Sequence, residues 1–161
     1  MKNYLLLLAV AASVSLTSCG NDDDEVVTKS KTDLLTASGW KGTSLTVNPA
    51  IDWDNDGTKE TNLTPFIDAC SLDDLKIFKA DKTYTEDEGA TKCDPADPQV
   101  IASGTWSFNA DETTLTTTES GSSTPDTFTI SELTESSLKF TESFTDPSDN
   151  VTYTFTSTFT H

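Results

Sequence analysis

The 161-residue chain has no arginine, one histidine and only three cysteines, and its 27 acidic residues stand against 10 basic ones for a formal charge of -17. So few cations cannot neutralise a run of phosphates, which excludes nucleic acid as a partner. The same self-repulsion suits a soluble monomer. His161 is the last residue, where few neighbours can orient an imidazole, so Ser-His and Cys-His catalysis are excluded. Zinc lacks its usual ligand sets, and no glycine-rich phosphate loop is present. Acids are so abundant that a carboxylate pair of the glycosidase kind carries little information. No catalytic residues are assigned, and the expected protein is not an enzyme. A bilayer span needs about 20 apolar residues, and no run reaches that length.

What the chain does contain begins with Lys2, an apolar stretch from Leu5 to Ala12 and small residues from Ser13 to Ser18. That order of charge, apolar core and small residues is a secretory signal over residues 1–18. Leu16-Thr17-Ser18-Cys19 resembles the bacterial lipobox, in which the last thiol receives diacylglycerol before cleavage. The resemblance implies that Cys19 carries acyl chains of the palmitate kind, each CH₂ contributing about 0.8 kcal/mol of membrane affinity. Residues 19–31 then form an acidic stalk with too few apolar side chains to fold. Asp22, Asp23, Asp24 and Glu25 resemble the export signal of surface lipoproteins in Bacteroidetes-type bacteria, which implies an exported, outer-membrane protein exposed at the cell surface.

With Cys19 acylated, Cys70 and Cys93 remain, and an even pair in an exported protein suggests a disulfide. Between them lies "LKIFKADKTYTEDEG", two strand-like runs around a polar turn whose midpoint, between Asp81 and Lys82, is equidistant from both thiols. A hairpin folded there brings them together. A metal pair is the competing reading, and it lacks further Cys or His ligands.

Residues 32–161 are sufficient for one domain. In "VTYTFTSTF", Val151, Tyr153, Phe155 and Phe159 share one face and threonines share the other, the period-two signature of a strand with one buried side. The same criterion predicts strands over 40–48, 75–79, 83–88, 101–108, 113–118, 126–131, 137–145 and 151–159. Short polar turns such as "NADE", "TES" and "DPSDN" favour antiparallel neighbours. One short helix is expected over "KTDLLTAS", with Thr32 as N-cap. Eight strands in meander order close into an up-and-down barrel; an immunoglobulin-like sandwich is the alternative. Trp40, Trp106, Phe108, Phe128, Ile130, Leu138, Phe140, Tyr153 and Phe155 are expected inside, as core or as the lining of a modest pocket.

"DWDNDGTKETNL" is the sharpest local signal. Asp52, Asp54, Asp56 and Gly57 match the opening of an EF-hand loop, with Thr58 and Glu60 as further oxygen donors and Asp73 or Asp74 as outside help for a candidate Ca²⁺ site. The twelfth position is Leu63 rather than glutamate. A turn that caps its own backbone is the other reading.

The short helix, Gly39-Trp40, the "DNDG" loop, "CSLDDLKIFKADKTYTEDEG" with its second cysteine, and "SGTWSFNADETTL" together resemble the lipocalin-like lipoprotein domains of Bacteroidetes-type bacteria. The resemblance spans nearly all of residues 32–161. It implies an all-β, eight-stranded, lipocalin-like barrel that binds without catalysis. The chain departs from the pattern at Gly-Trp, where true lipocalins have Gly-x-Trp, and at Lys82, where a turn glycine is usual. Three functions follow as expectations. They are capture of a small apolar ligand or lipid in the barrel, a filled barrel whose loop 49–69 binds a protein or glycan partner, or a hydrolase with two converging carboxylates.

Overall fold

The computed structural model describes residues 28–161; the expected signal, Cys19 and the acidic run up to residue 27 lie outside the described residues. Helix α1 (Lys31–Leu35) is capped by Ser30, whose side chain accepts from the Asp33 amide while Asp33 bonds back to the Ser30 amide. This reciprocal box places the cap two residues before Thr32, which lies instead within the first turn. An acid at the third helical position selects Ser30 as the start.

Nine strands follow: β1 (Trp40–Ile51), β2 (Glu60–Asn62), β3 (Leu75–Phe78), β4 (Thr83–Asp87), β5 (Val100–Phe108), β6 (Thr114–Glu119), β7 (Asp126–Leu133), β8 (Ser137–Thr145) and β9 (Thr152–Thr160), with a 3₁₀ turn at Thr64–Phe66. From β3 to β9 they form an antiparallel meander; β1 pairs with β3 on one side and with β9 on the other, closing an eight-stranded barrel. A meander that closes has no sandwich crossover. The eight strands expected from period-two alternation are the eight of the ring. The short β2 adds outside the ring, against the far end of β1.

Register fixes which side chains enter the lumen, because directly paired residues share a face. Trp40 pairs with Lys76, Phe78 with Tyr84, Tyr84 with Gly104, Trp106 with Thr117, Leu115 with Phe128, Ile130 with Phe140 and Leu138 with Phe159. Gly104 is required on this circuit, since a Cβ there would run into the Tyr84 ring and the Thr118 carbonyl. At the closed end Leu35 and Trp40 are fully buried, and the Trp40 indole donates to the Leu35 carbonyl at 2.9 Å. The helix is thereby a stopper whose last carbonyl is satisfied by the barrel floor. His161 is not frayed: its ring lies 3.8 Å from the Trp40 ring and bonds to Ser38.

Lys82 sits at φ +69° in the β3–β4 turn, a left-handed conformation that glycine adopts without cost. Its ammonium lies 3.8 Å from the centre of the Trp106 ring, and its carbonyl accepts the Trp106 amide. A cation–π contact gives lysine a role that glycine could not fill.

Apolar side chains divide into two clusters. Trp40, Phe78, Tyr84, Trp106, Leu115, Leu138, Phe140 and Phe159 fill the lower lumen, with Phe108, Phe128 and Ile130 packed against them. Tyr153 and Phe155, expected in that core, belong to a second cluster with Val47 and Leu63. The reason is strand length. β1, β8 and β9 run 12, 9 and 9 residues whereas β3, β4 and β6 run 4, 5 and 6, so the longer strands overshoot. Leu63, 1 % exposed, caps the inner face of that overshoot. β1 therefore reaches Ile51 rather than ending at Asn48. Pro49 falls in the irregular stretch between the two β2 pairings, where a missing amide breaks no ladder bond.

Cys70 and Cys93 form a disulfide with their Cα atoms 5.2 Å apart. It joins the segment before β3 to the one after β4, at the open end. Closing a loop with a sequence separation of 23 stabilises by about 3 kcal/mol, chiefly by restricting the unfolded chain. The double variant Cys70→Ser/Cys93→Ser is expected to unfold at lower urea, with stability reduced by about 3 kcal/mol and the β circular dichroism retained at 25 °C.

Candidate functional site

The inward positions of β3, β4, β6, β7, β8 and β9 leave a chamber of about 100 Å³ above the packed floor. Phe78, Leu115, Phe128, Phe140 and Phe159 supply its apolar surface. Phe128 and Phe140 stack at 5.2 Å, and Phe159 meets Phe140 edge-on at 5.5 Å. Such ring pairs adopt the edge-on and offset-stacked geometries that aromatic quadrupoles favour. Lys76, Tyr84, Glu86, Thr117 and Ser157 provide the polar side.

Lys76 and Glu86 face each other across the β3–β4 pair and form an ion pair between half-buried side chains. Next to them a second recess of about 170 Å³ opens where β1 and β3 part; Lys76, Glu86 and Phe159 line both spaces, and Gly42, Ser71, Asp74 and Leu75 complete the second. The parting follows from the pairing, since β1 has two register partners in β3 and seven in β9.

Asp74 has one shielded carboxylate oxygen with no hydrogen-bond partner. Burial, then the carboxylates of Glu88, Asp73 and Glu86, push its pKa up against a smaller opposing pull from Lys76. Tyr84 is likewise pushed up by burial and by Glu86, Glu119 and Asp126. Burial and Asp126 also raise Glu142, against Lys76. Asp74 and Glu86 line the second recess together, a carboxylate pair of the kind the hydrolase expectation needs. Here, however, Glu86 is engaged with Lys76.

Of the residues expected to line a pocket, Phe128 and Phe140 do so. Trp40 and Trp106 lie in the floor, their indoles bound to the carbonyls of Leu35 and Lys79. Phe108 packs edge-on against Trp106 at 5.2 Å, and Tyr153 and Phe155 sit in the second cluster. Sequence reasoning missed Lys76, Phe78, Tyr84, Glu86, Leu115, Thr117 and Ser157. The midpoint read between Asp81 and Lys82 sets Lys76 opposite Asp87 and Phe78 opposite Thr85; the structure centres the hairpin on Asp81, which sets Lys76 opposite Glu86 and Phe78 opposite Tyr84.

In the acidic loop Asp52, Asp54 and Glu60 come together, with one carboxylate oxygen from each within 4.8 Å of the others. Asp56, Asp73 and Asp74 do not join that group. Most of the loop's capacity is turned on itself: Asp52 accepts from the Gly57 amide, Asp54 from Asp56, Asp56 from Thr58 and Glu60 from Trp53. These are the bonds of a self-capping turn. Three converging oxygens are about half of the 6–8 that Ca²⁺ takes, and Leu63, in the glutamate position, is buried in the second cluster.

Closed barrel, helical stopper and lumen chamber together give a lipocalin-like barrel whose form is compatible with ligand binding. A family model described as a lipocalin-like domain matches residues 38–140, more than half of the chain. The protein belongs to this lipocalin-like family, whose members are generally binding proteins rather than enzymes. A search of curated proteins finds no match. The match ends within β8, and the structure carries the barrel on through β9 to closure.

The raised pKa of Asp74 has a defined consequence for stability. Above its folded pKa the ionised carboxylate is worse off folded than unfolded, so its unfavourable contribution is present at neutral pH and fades as pH falls toward the ordinary carboxylate value. The hydrogen-bonded acids Asp33, Asp81 and Asp146 are shifted the other way, and their contribution is lost only at lower pH. Asp74→Asn is therefore expected to melt higher than the parent at pH 7, with the difference vanishing by about pH 4.

Proposed function

We propose that the protein is a lipid-anchored surface protein whose barrel captures a small apolar molecule without transforming it. The chamber carries this reading: an apolar recess with a few polar groups, enclosed by a rigid wall and reached from the open end, is the usual form of a ligand site. Its volume of about 100 Å³ approaches that of the engineered cavity of about 150 Å³ that holds benzene. It suits a ring or a short branched chain and not a whole fatty acid.

Anchoring rests on the sequence of residues 1–25, with Cys19 as the acylated residue and the acidic run after it as the stalk of a domain whose first helix is capped at Ser30. The acidic stalk supports a surface address in a Bacteroidetes-type bacterium. A second reading is favoured by Trp53 and Phe66, which are 46 % and 40 % exposed on the loop over residues 49–69. Exposed aromatics are common anchors for a protein or glycan partner.

Two measurements separate these statements. Thr117 is buried on the polar side of the chamber, so Thr117→Phe fills it. The parent protein is expected to bind a hydrophobic dye and the variant to lose at least about tenfold in affinity, with β circular dichroism unchanged; tenfold corresponds to about 1.4 kcal/mol. Equal dye binding by both proteins would move recognition to the loop. For the anchor, Cys19→Ala is expected to shift the protein from the membrane fraction to the soluble fraction and to abolish labelling by an alkynyl palmitate analogue.

A further inference from the structure

Above the apolar chamber the same register that fills the floor with rings fills the rim with acids. Glu86 shares its face with Lys76, Glu119 with Gly104, Asp126 with Thr117, and Glu142 with Phe155. Each therefore lies on the lumen face of its strand. Asp74 adds a fifth carboxylate from the recess beside Lys76.

Lys76 is the one cation at these inward positions among the described residues, and Glu86 already holds it. Among the described residues, the other four rim carboxylates have no basic side chain paired with them. Their mutual influence is visible in Tyr84, which Glu86, Glu119 and Asp126 all push up, and in Glu142, which Asp126 pushes up.

Like charges around a concave mouth with a low-dielectric floor concentrate the field there. An anionic headgroup entering this mouth meets repulsion from every side, and its only counter-charge is occupied. A neutral headgroup leaves the repulsion as it was. A protonated amine relieves it and offers donors to the unpartnered oxygen of Asp74.

We propose that the ligand of the chamber is a cationic amphiphile: an organic amine whose ring or short chain sits among Phe78, Phe128, Phe140 and Phe159 and whose ammonium faces Asp74 and Glu142. The assignment rests on the capture reading above and adds the sign of the ligand's charge. The barrel then selects by charge at its mouth and by size at its floor.

Three compounds of equal ring size test it by titration calorimetry on the whole chain at pH 7: 2-phenylethylamine, 2-phenylethanol and phenylacetate. The amine is expected to bind about tenfold tighter than the alcohol, and phenylacetate weakest, a preference that shrinks in high salt. In Asp74→Asn/Glu142→Gln the amine is expected to lose most of that advantage while the alcohol binds as before, a control that the chamber is intact. Equal binding of amine and alcohol would overturn the charge assignment and leave capture standing, and tightest binding of phenylacetate would overturn it in favour of Lys76. Failure of all three together with failure of the hydrophobic dye would remove both readings.

Discussion

The pairing of β9 with β1 is the constraint from which the rest of the structure follows. Seven register pairs from Lys41–Thr160 to Asn48–Thr154 turn a meander into a ring, and closure removes the two open edges that such a meander would present. Once the ring is closed, every residue facing inward has a fixed set of neighbours from strands distant in sequence. Trp40, at the start of β1, is thereby set over the end of the lumen where Leu35 can cap it. The bulge between Gly42 and Ser44 keeps Leu45 and Val47 facing inward after the strand's alternation has shifted by one residue. Without it, the upper half of β1 would turn its apolar residues outward.

Much of this architecture is legible in the sequence because its signal is local. Alternation of threonine with aromatic and aliphatic residues marks eight strands, and the near-equal spacing of Cys70 and Cys93 about the β3–β4 turn marks their bond. β2 carries no such signal: Glu60, Thr61 and Asn62 do not alternate, and the strand exists because β1 overshoots and offers an edge. Ser30 was obscured in a similar way, since Thr32 has the right chemistry for a cap and only the Ser30–Asp33 reciprocity distinguishes the true start.

The chamber was less legible for a different reason. A cavity is space that side chains fail to fill, and whether Leu115, Phe128, Phe140 and Phe159 meet or stand apart depends on eight strands at once. Sequence identifies the aromatics but not the gap between them. It also gives equal weight to every carboxylate in so acidic a chain. Only register separates Glu132, outside the barrel and paired with Lys139, from Glu142 on the lumen face.

Unequal strand length explains why the open end is not symmetric. Where β1 and β9 overshoot, Leu63 packs with Val47, Tyr153 and Phe155, which makes that side of the mouth apolar and packed. Where β3 and β4 stop short, the wall is continued by loops that Cys70 and Cys93 hold together, and those loops carry Asp73, Asp74 and Glu88. The acid-lined recess thus lies beside a covalent tie. Such a tie limits how far the two loops can separate in response to the repulsion among their carboxylates. Loops free to relax would spread that charge into solvent; loops held together keep it directed at the entrance.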